Sequence, residues 1–207
     1  MRSGGVASRQ RADGFTIVEL VTVIVVVGIL GAIGAARFFD NTAFENRAYA
    51  DQVRSLLRYA QKMAIAQNRS IFVRSDGNSF AVCSNAACDV NGMIVAPGGS
   101  NNGSTATKQY CQQGNAYAAQ WMCIGRPANV AVAAEATRPE LGNGGFFSFD
   151  GLGRPYNRNG TPMTSTNDQQ AGVPMANLPA MTLTFSSGTN TARLSIWPET
   201  GYVQNAP

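Results

Sequence analysis

The sequence predicts an α+β chain: a long N-terminal α-helix, membrane-spanning in its first half, packed on a C-terminal antiparallel β-sheet or β-sandwich domain. Three observations carry that expectation. Residues 15–36, FTIVELVTVIVVVGILGAIGAA, hold a single charge, Glu19. Val53, Leu56, Leu57, Ala60, Met63 and Ala64 then recur at helical spacing within a stretch from Arg37 to Gln67 that contains neither Pro nor Gly. Beyond Asn68 the apolar residues alternate in short runs separated by Gly, Asn and Ser. At 207 residues the chain suffices for one globular core plus an appended element.

Residues 1–14 are polar and basic and read as a leader. Arg2, Arg9, Arg11 and Asp13 account for half of the +4 formal charge, so little field remains beyond them to steer a polyanion. The 15–36 run has membrane length, since about 20 apolar residues cross a hydrocarbon core. The leader arginines predict a cytoplasmic N-terminus and an exported remainder. An ordinary signal peptide has a shorter apolar region with its cleavage site behind it, and a soluble core helix is rarely so long and apolar. A plain anchor would explain the run except for Glu19. A carboxylate inside an apolar span costs about 2.5–3.5 kcal/mol when central and less near an end, so it calls for a partner. Cutting between Gly14 and Phe15 would create an amine four residues before Glu19, and a neighbouring subunit's amine is a second candidate.

Residues 37–68 form the amphipathic second half of the helix. Arg47, Asp51, Arg58 and Lys62, with Arg54 nearby, read as a solvated face with weak ion pairs such as Asp51 with Arg47. The functional alternative is a basic patch facing a neighbouring subunit or DNA. Residues 69–207 form the β-rich domain. Ile71–Arg74 and Phe80–Cys83 make a hairpin around Asp76-Gly77. Further strands are expected at 121–124, 130–133, 145–149, 181–185 and 192–197. The segments 98–120 and 156–180 are too polar and Gly-rich for core and read as long loops. Phe149-Asp150-Gly151-Leu152-Gly153-Arg154-Pro155 reads as a turn held by an Asp150–Arg154 contact, with Pro155 blocking simple continuation of a ladder.

Cys83, Cys88, Cys111 and Cys123 form an even set in an exported, loop-rich region and read as disulfides. Three pairings exist. Cys83 with Cys88 and Cys111 with Cys123 is favoured, because each closes a short loop between strand ends. Spacings of C-x4-C and C-x11-C argue against two zinc knuckles. The chain has no histidine, which removes the commonest general base and metal ligand. No nucleophile has an evident base and no glycine loop has phosphate-binding spacing, so catalytic residues, metal and cofactor are all expected to be none.

Gly14-Phe15-Thr16-Ile17-Val18-Glu19-Leu20 resembles the prepilin peptidase site of type IV pilins and type II secretion pseudopilins. The resemblance implies cleavage after Gly14, N-methylation of Phe15, and subunit assembly through the helix and Glu19. Many members break this helix with a proline where this chain has Ala36, although Gly28, Gly31 and Gly34 offer small surfaces for close helix approach. The Phe149–Pro155 segment and the closing stretch Ala192–Val203 resemble the H-type (GspH/FimT-like) minor pseudopilins and their minor-pilin relatives. Arg37-Phe38-Phe39, Leu57-Arg58-Tyr59-Ala60-Gln61-Lys62 and Ala64-Ile65-Ala66-Gln67 resemble a minor pilin of mannose-sensitive haemagglutinin (MSHA) pili.

These resemblances imply a minor pilin or pseudopilin that initiates or caps an MSHA-like type IV pilus or a type II secretion pseudopilus. Its partners would be other pilin subunits, the prepilin peptidase, the inner membrane and its assembly platform, with the domain in the periplasm. DNA capture in natural transformation is the alternative. Relatives of the FimT type use basic residues near the C-terminus, whereas this chain has no Lys or Arg after Arg193, so nucleic acid is not the expected partner.

Overall fold

The computed structural model describes residues 15–38, 42–101, 103–134, 139–164 and 179–206, with side chains in the first segment as far as Gly31 and in the second from Ala43. The leader to Gly14, the helix join at 39–41 and residues 165–178 of the second expected loop lie outside the described residues. The chain divides into two compact units, one ending at Asn41 and the other beginning at Thr42.

The first unit contains helix α1, Ile17–Phe38. Among the described residues no helix is long and apolar enough to cross a membrane.

The second unit opens with helix α2, Thr42–Gln67. Its i, i+3, i+4 spacing puts Tyr49, Ala50, Val53, Leu56, Leu57, Ala60 and Ala64 on one buried stripe. The helix stops at Asn68, which takes the left-handed conformation (φ 47°) that Asn tolerates better than most side chains. The Asn68 and Arg69 amides donate to the Ile65 and Ala64 carbonyls, each at 3.2 Å, closing the last turn as a Schellman motif.

The expected hairpin follows as β1, Ile71–Ser75, and β2, Ser79–Cys83, with Val73 opposite Val82 and Ser75 opposite Phe80. Asp76 Oδ1 shapes the turn by accepting from the Asn78 and Ser79 amides at 2.9 and 2.7 Å. A 3-10 turn covers Val90–Gly92. Next come helix α3, Thr105–Tyr110, and the two-residue strands β3, Gln112–Gln113, and β4, Ala116–Tyr117. The remaining strands are β5 (Cys123–Gly125), β6 (Ala131–Ala134), β7 (Phe146–Phe149), β8 (Pro155–Tyr156), β9 (Met181–Ser187), β10 (Asn190–Ile196) and β11 (Val203–Ala206).

The strands form a five-stranded sheet, β5-β2-β1-β7-β8, a four-stranded sheet, β11-β10-β9-β6, and the β3-β4 ribbon. Every pairing between these strands is antiparallel. The α2 stripe shares one core with Ile71, Val73, Phe147 and Phe149 of the larger sheet and Met181, Leu183, Phe185, Leu194 and Ile196 of the smaller. Tyr49 meets Phe185 edge-on at 5.6 Å. The Asn46 side-chain amide donates to the carbonyls of Phe185 and Asn190, each at 3.1 Å, fixing the start of α2 on the β9–β10 turn. This is the expected α+β architecture of a helix followed by an antiparallel β domain.

Two expectations are corrected, for the 98–120 segment and for the Asp51 ion pair. The 98–120 segment is not wholly loop: α3 and the β3-β4 ribbon lie within it, with Thr107 and Cys111 buried. Pro155 sits in the edge strand β8, opposite Phe149, which fits a residue that cannot extend the ladder further. On α2, Asp51 pairs with Arg54 at 3.0 Å rather than with Arg47.

Leu56 is completely buried between helix and sheets. Leu56→Ala is expected to lower stability by about 2–5 kcal/mol in urea unfolding of the unit beginning at Thr42, through lost transfer energy and the cavity left behind. A loss within experimental error would contradict this packing.

Candidate functional site

Four features carry the sequence expectations: the start of α1, the basic face of α2, the cysteine loops and the Asp150 turn.

Helix α1 starts after Phe15 and Thr16, which stand outside it. The Thr16 hydroxyl accepts from the Glu19 amide at 3.2 Å, and the Thr16 carbonyl accepts the first helical bond from Leu20 at 3.1 Å. Thr16 is therefore the N-cap, and Glu19 falls three residues later in the first turn, where the helix dipole favours a carboxylate. The pattern Thr16-x-x-Glu19 was legible as a capping-box spacing, a signal the sequence reading passed over. Apolar side chains are exposed along α1, from Ile17 (82% exposed) through Val21 and Val25 to Leu30 (64%), as is Phe15 (77%) just ahead of it. So continuous an apolar surface requires a cover other than water.

The basic face of α2 is less free than expected. Arg58 donates from Nε and Nη2 to the Val203 carbonyl at 3.0 and 2.7 Å, and its guanidinium lies 5.3 Å from the centre of the Tyr202 ring. It therefore secures the last strand to the helix. Arg54 is occupied by Asp51, at 3.0 Å.

The cysteines pair as expected, Cys83 with Cys88 and Cys111 with Cys123, with Cα separations of 5.2 and 5.8 Å. The pairs leave no thiolate for the zinc alternative. All four join Ala81 and Trp121 in a second, smaller buried cluster. The Trp121 indole N–H donates to the Val82 carbonyl at 3.0 Å, and the Arg74 guanidinium stacks 4.4 Å from the ring centre. Arg74 also donates to Ser79 Oγ at 2.7 Å and to the Tyr110 carbonyl at 3.1 Å. Burial pushes the Arg74 guanidinium below its ordinary value, and the Asp76 carboxylate acts against that shift. Arg74, read at first only as a strand residue, thus ties β1 to the stapled loops. Among the described residues no group of three or more Cys, Asp or Glu could hold a metal ion.

The Asp150 turn is a structural lock. Asp150 Oδ1 accepts from the Leu152 and Arg154 amides at 3.0 and 2.8 Å, and Oδ2 pairs with the Arg154 guanidinium at 2.7 Å. Gln61 on α2 donates to the Gly153 and Thr200 carbonyls at 3.3 and 2.5 Å, joining this turn and the β10–β11 turn to the helix. Gly201 has positive φ (61°), and a Cβ there would collide with the Gly153 carbonyl, so this junction admits no side chain.

Burial raises the Asp150 carboxyl, but hydrogen bonds from the Arg154 guanidinium and from the Arg154 and Leu152 amides outweigh it and hold the carboxyl below its ordinary value. The stabilisation is thus present above the unfolded carboxylate pKa of about 3.9 and lost as pH falls through the lower folded value. Asp150→Asn is expected to be less stable than wild type at neutral pH, with the gap closing below about pH 4. Stability curves for both proteins check this, and a gap constant with pH would refute the assignment.

No family model matches the chain. The type IV narrow pilus major component PilA5 of Thermus thermophilus is 37% identical over 99 residues, covering 47% of this chain and 72% of that protein. Two crystal structures of the type IV minor pilin FimU of Pseudomonas aeruginosa also align. One has a TM-score of 0.41 at 14% identity over 81% of this chain, the other 0.40 at 15% over 78%, each covering 92% of FimU. With that much of a curated pilus subunit matched, this chain belongs to the type IV pilin superfamily.

Proposed function

We propose that this chain is a minor pilin or pseudopilin, a structural subunit that initiates or caps an MSHA-like type IV pilus or a type II secretion pseudopilus. The observation that carries the reading is the exposed apolar surface of α1, which begins at the residue where the resemblance puts the mature N-terminus. In the precursor, residues 15–36 sit in the inner membrane with the domain from Thr42 onward in the periplasm. Prepilin peptidase cuts after Gly14, and Phe15 is N-methylated. The assembly platform then moves α1 from lipid into a bundle of neighbouring subunits' helices, so its apolar surface exchanges one apolar cover for another.

In that bundle Glu19 lies in the first turn, close to the new amine of Phe15 or that of an adjacent subunit. A charge pair is strongest where water is excluded, so it fixes how far each helix slides along its neighbour. The Phe149–Pro155 segment supports an H-type placement, and the stapled loops supply a rigid surface for partner choice. A DNA-binding role draws less support, because Arg58 and Arg54 already have intramolecular partners.

Glu19→Val is expected to remain at wild-type levels in the membrane yet drop at least tenfold in filaments sheared from the host, measured by quantitative mass spectrometry. Normal incorporation of the variant would refute the role of Glu19. Absence of the wild-type chain from both the pilus and the pseudopilus would refute the subunit reading itself.

A further inference from the structure

We infer that Asn143 is a site of spontaneous covalent modification: the Gly144 amide nitrogen closes on the Asn143 side chain, and the carboxylate that results lies beside the Arg158 guanidinium. The reaction needs only the chain itself and water, so it goes beyond the assembly role and does not depend on it.

An asparagine followed by glycine is chemically fragile, because the glycine nitrogen is shielded by no side chain of its own. That nitrogen attacks the asparagine Cγ, the Cγ–Nδ2 bond breaks, and the displaced nitrogen leaves as ammonia together with the amide proton. Water then opens the five-membered imide at one of its two carbonyls, giving aspartate or isoaspartate. Four Asn-Gly pairs occur in the sequence, and those at Asn91, Asn143 and Asn159 lie wholly within the described residues.

Hydrogen bonds restrain two of these three. The Gly92 amide is buried and donates to the Asp89 carbonyl and to Asp89 Oδ1, each at 3.0 Å. The Gly160 amide donates to the Asn157 carbonyl at 3.0 Å, while Asn159 Oδ1 accepts from the Thr161 amide and hydroxyl at 3.1 and 2.7 Å. Asn143 and Gly144 differ. Both are exposed at the tip of a turn held at its shoulders, where the Gly142 amide donates to the Ser75 carbonyl at 3.0 Å and the Gly145 amide to the Gly142 carbonyl at 2.7 Å. Among the described residues neither the Gly144 amide nor the Asn143 side chain has a hydrogen-bond partner. The reacting pair is free to close within an anchored loop.

Arg158 adds a charge to this site. A Cβ placed on Gly144 would stand 3.9 Å from Arg158 Nη2, and the guanidinium lies 5.5 Å from the centre of the Phe146 ring. The neighbouring Glu140 carboxylate accepts from the Arg158 backbone amide at 3.1 Å. A cation here stabilises the negative charge that grows on nitrogen and oxygen during ring closure, and then pairs with the product carboxylate. Each molecule thereby gains a negative charge as it ages.

The test is incubation of the intact chain, folded and in urea, at mildly alkaline pH in heavy-oxygen water, which marks only bonds hydrolysed during the experiment. Fragmentation mass spectrometry then reads each Asn-Gly pair. In the folded chain Asn143 is expected to convert at least about tenfold faster than Asn91 or Asn159, the difference that the bonds at each restrained pair imply, and in urea the three rates converge. Arg158→Gln is expected to slow Asn143 at least about threefold while Asn91 and Asn159 stay protected, which shows that the variant is folded. Asn143 intact in the folded chain over the time in which the unfolded chain converts, or all three sites converting alike in the folded chain, would overturn the proposal. An unchanged rate in Arg158→Gln would overturn the part given to Arg158.

Discussion

The buried stripe of α2, from Tyr49 through Val53, Leu56, Leu57 and Ala60 to Ala64, is the one surface that both β-sheets share, and the domain is organised around it. Several strands of the two sheets have only two to four residues, so their ladders are short. Burial against the helix supplies the apolar area that those short ladders lack, at about 25 cal/mol for each Å² removed from water. Polar ties then fix where each sheet sits on the helix: Asn46 at the β9–β10 turn, Arg58 at the last strand, and Gln61 at the two turns around Gly153 and Gly201.

Away from that stripe the architecture changes in kind. The region between β2 and β5 contains too few large apolar residues for a core of its own, and covalent staples make up the difference. Each disulfide removes conformational freedom from the unfolded chain, an effect of roughly 2–4 kcal/mol in such loops. Around them Trp121 supplies the main apolar body, and Arg74 anchors it through stacking and hydrogen bonds.

The elements governed by periodicity were legible in the sequence. The α2 stripe, the hairpin at Asp76-Gly77 and the strands at 181–185 and 192–197 all followed from local spacing, as did the two disulfides from loop length. What escaped was set by distant partners. Helix α3 has only six residues and a polar sequence, and it is held by the Cys111–Cys123 bridge and by burial of Thr107, neither of which a local window shows. Arg58 looked like one more solvated cation because its acceptor, the Val203 carbonyl, lies 145 residues away in sequence. Thr16 is the opposite case, a cap written in four adjacent letters and overlooked beside the charge at Glu19.

The central claim is that α1 is a processed assembly helix rather than a permanent anchor. Intact mass and N-terminal sequencing of the protein from its host's membranes test it most directly. The account predicts a mature chain that begins at Phe15 and carries one methyl group on its amine. A chain that still begins at Met1 in a host with an active prepilin peptidase would contradict it.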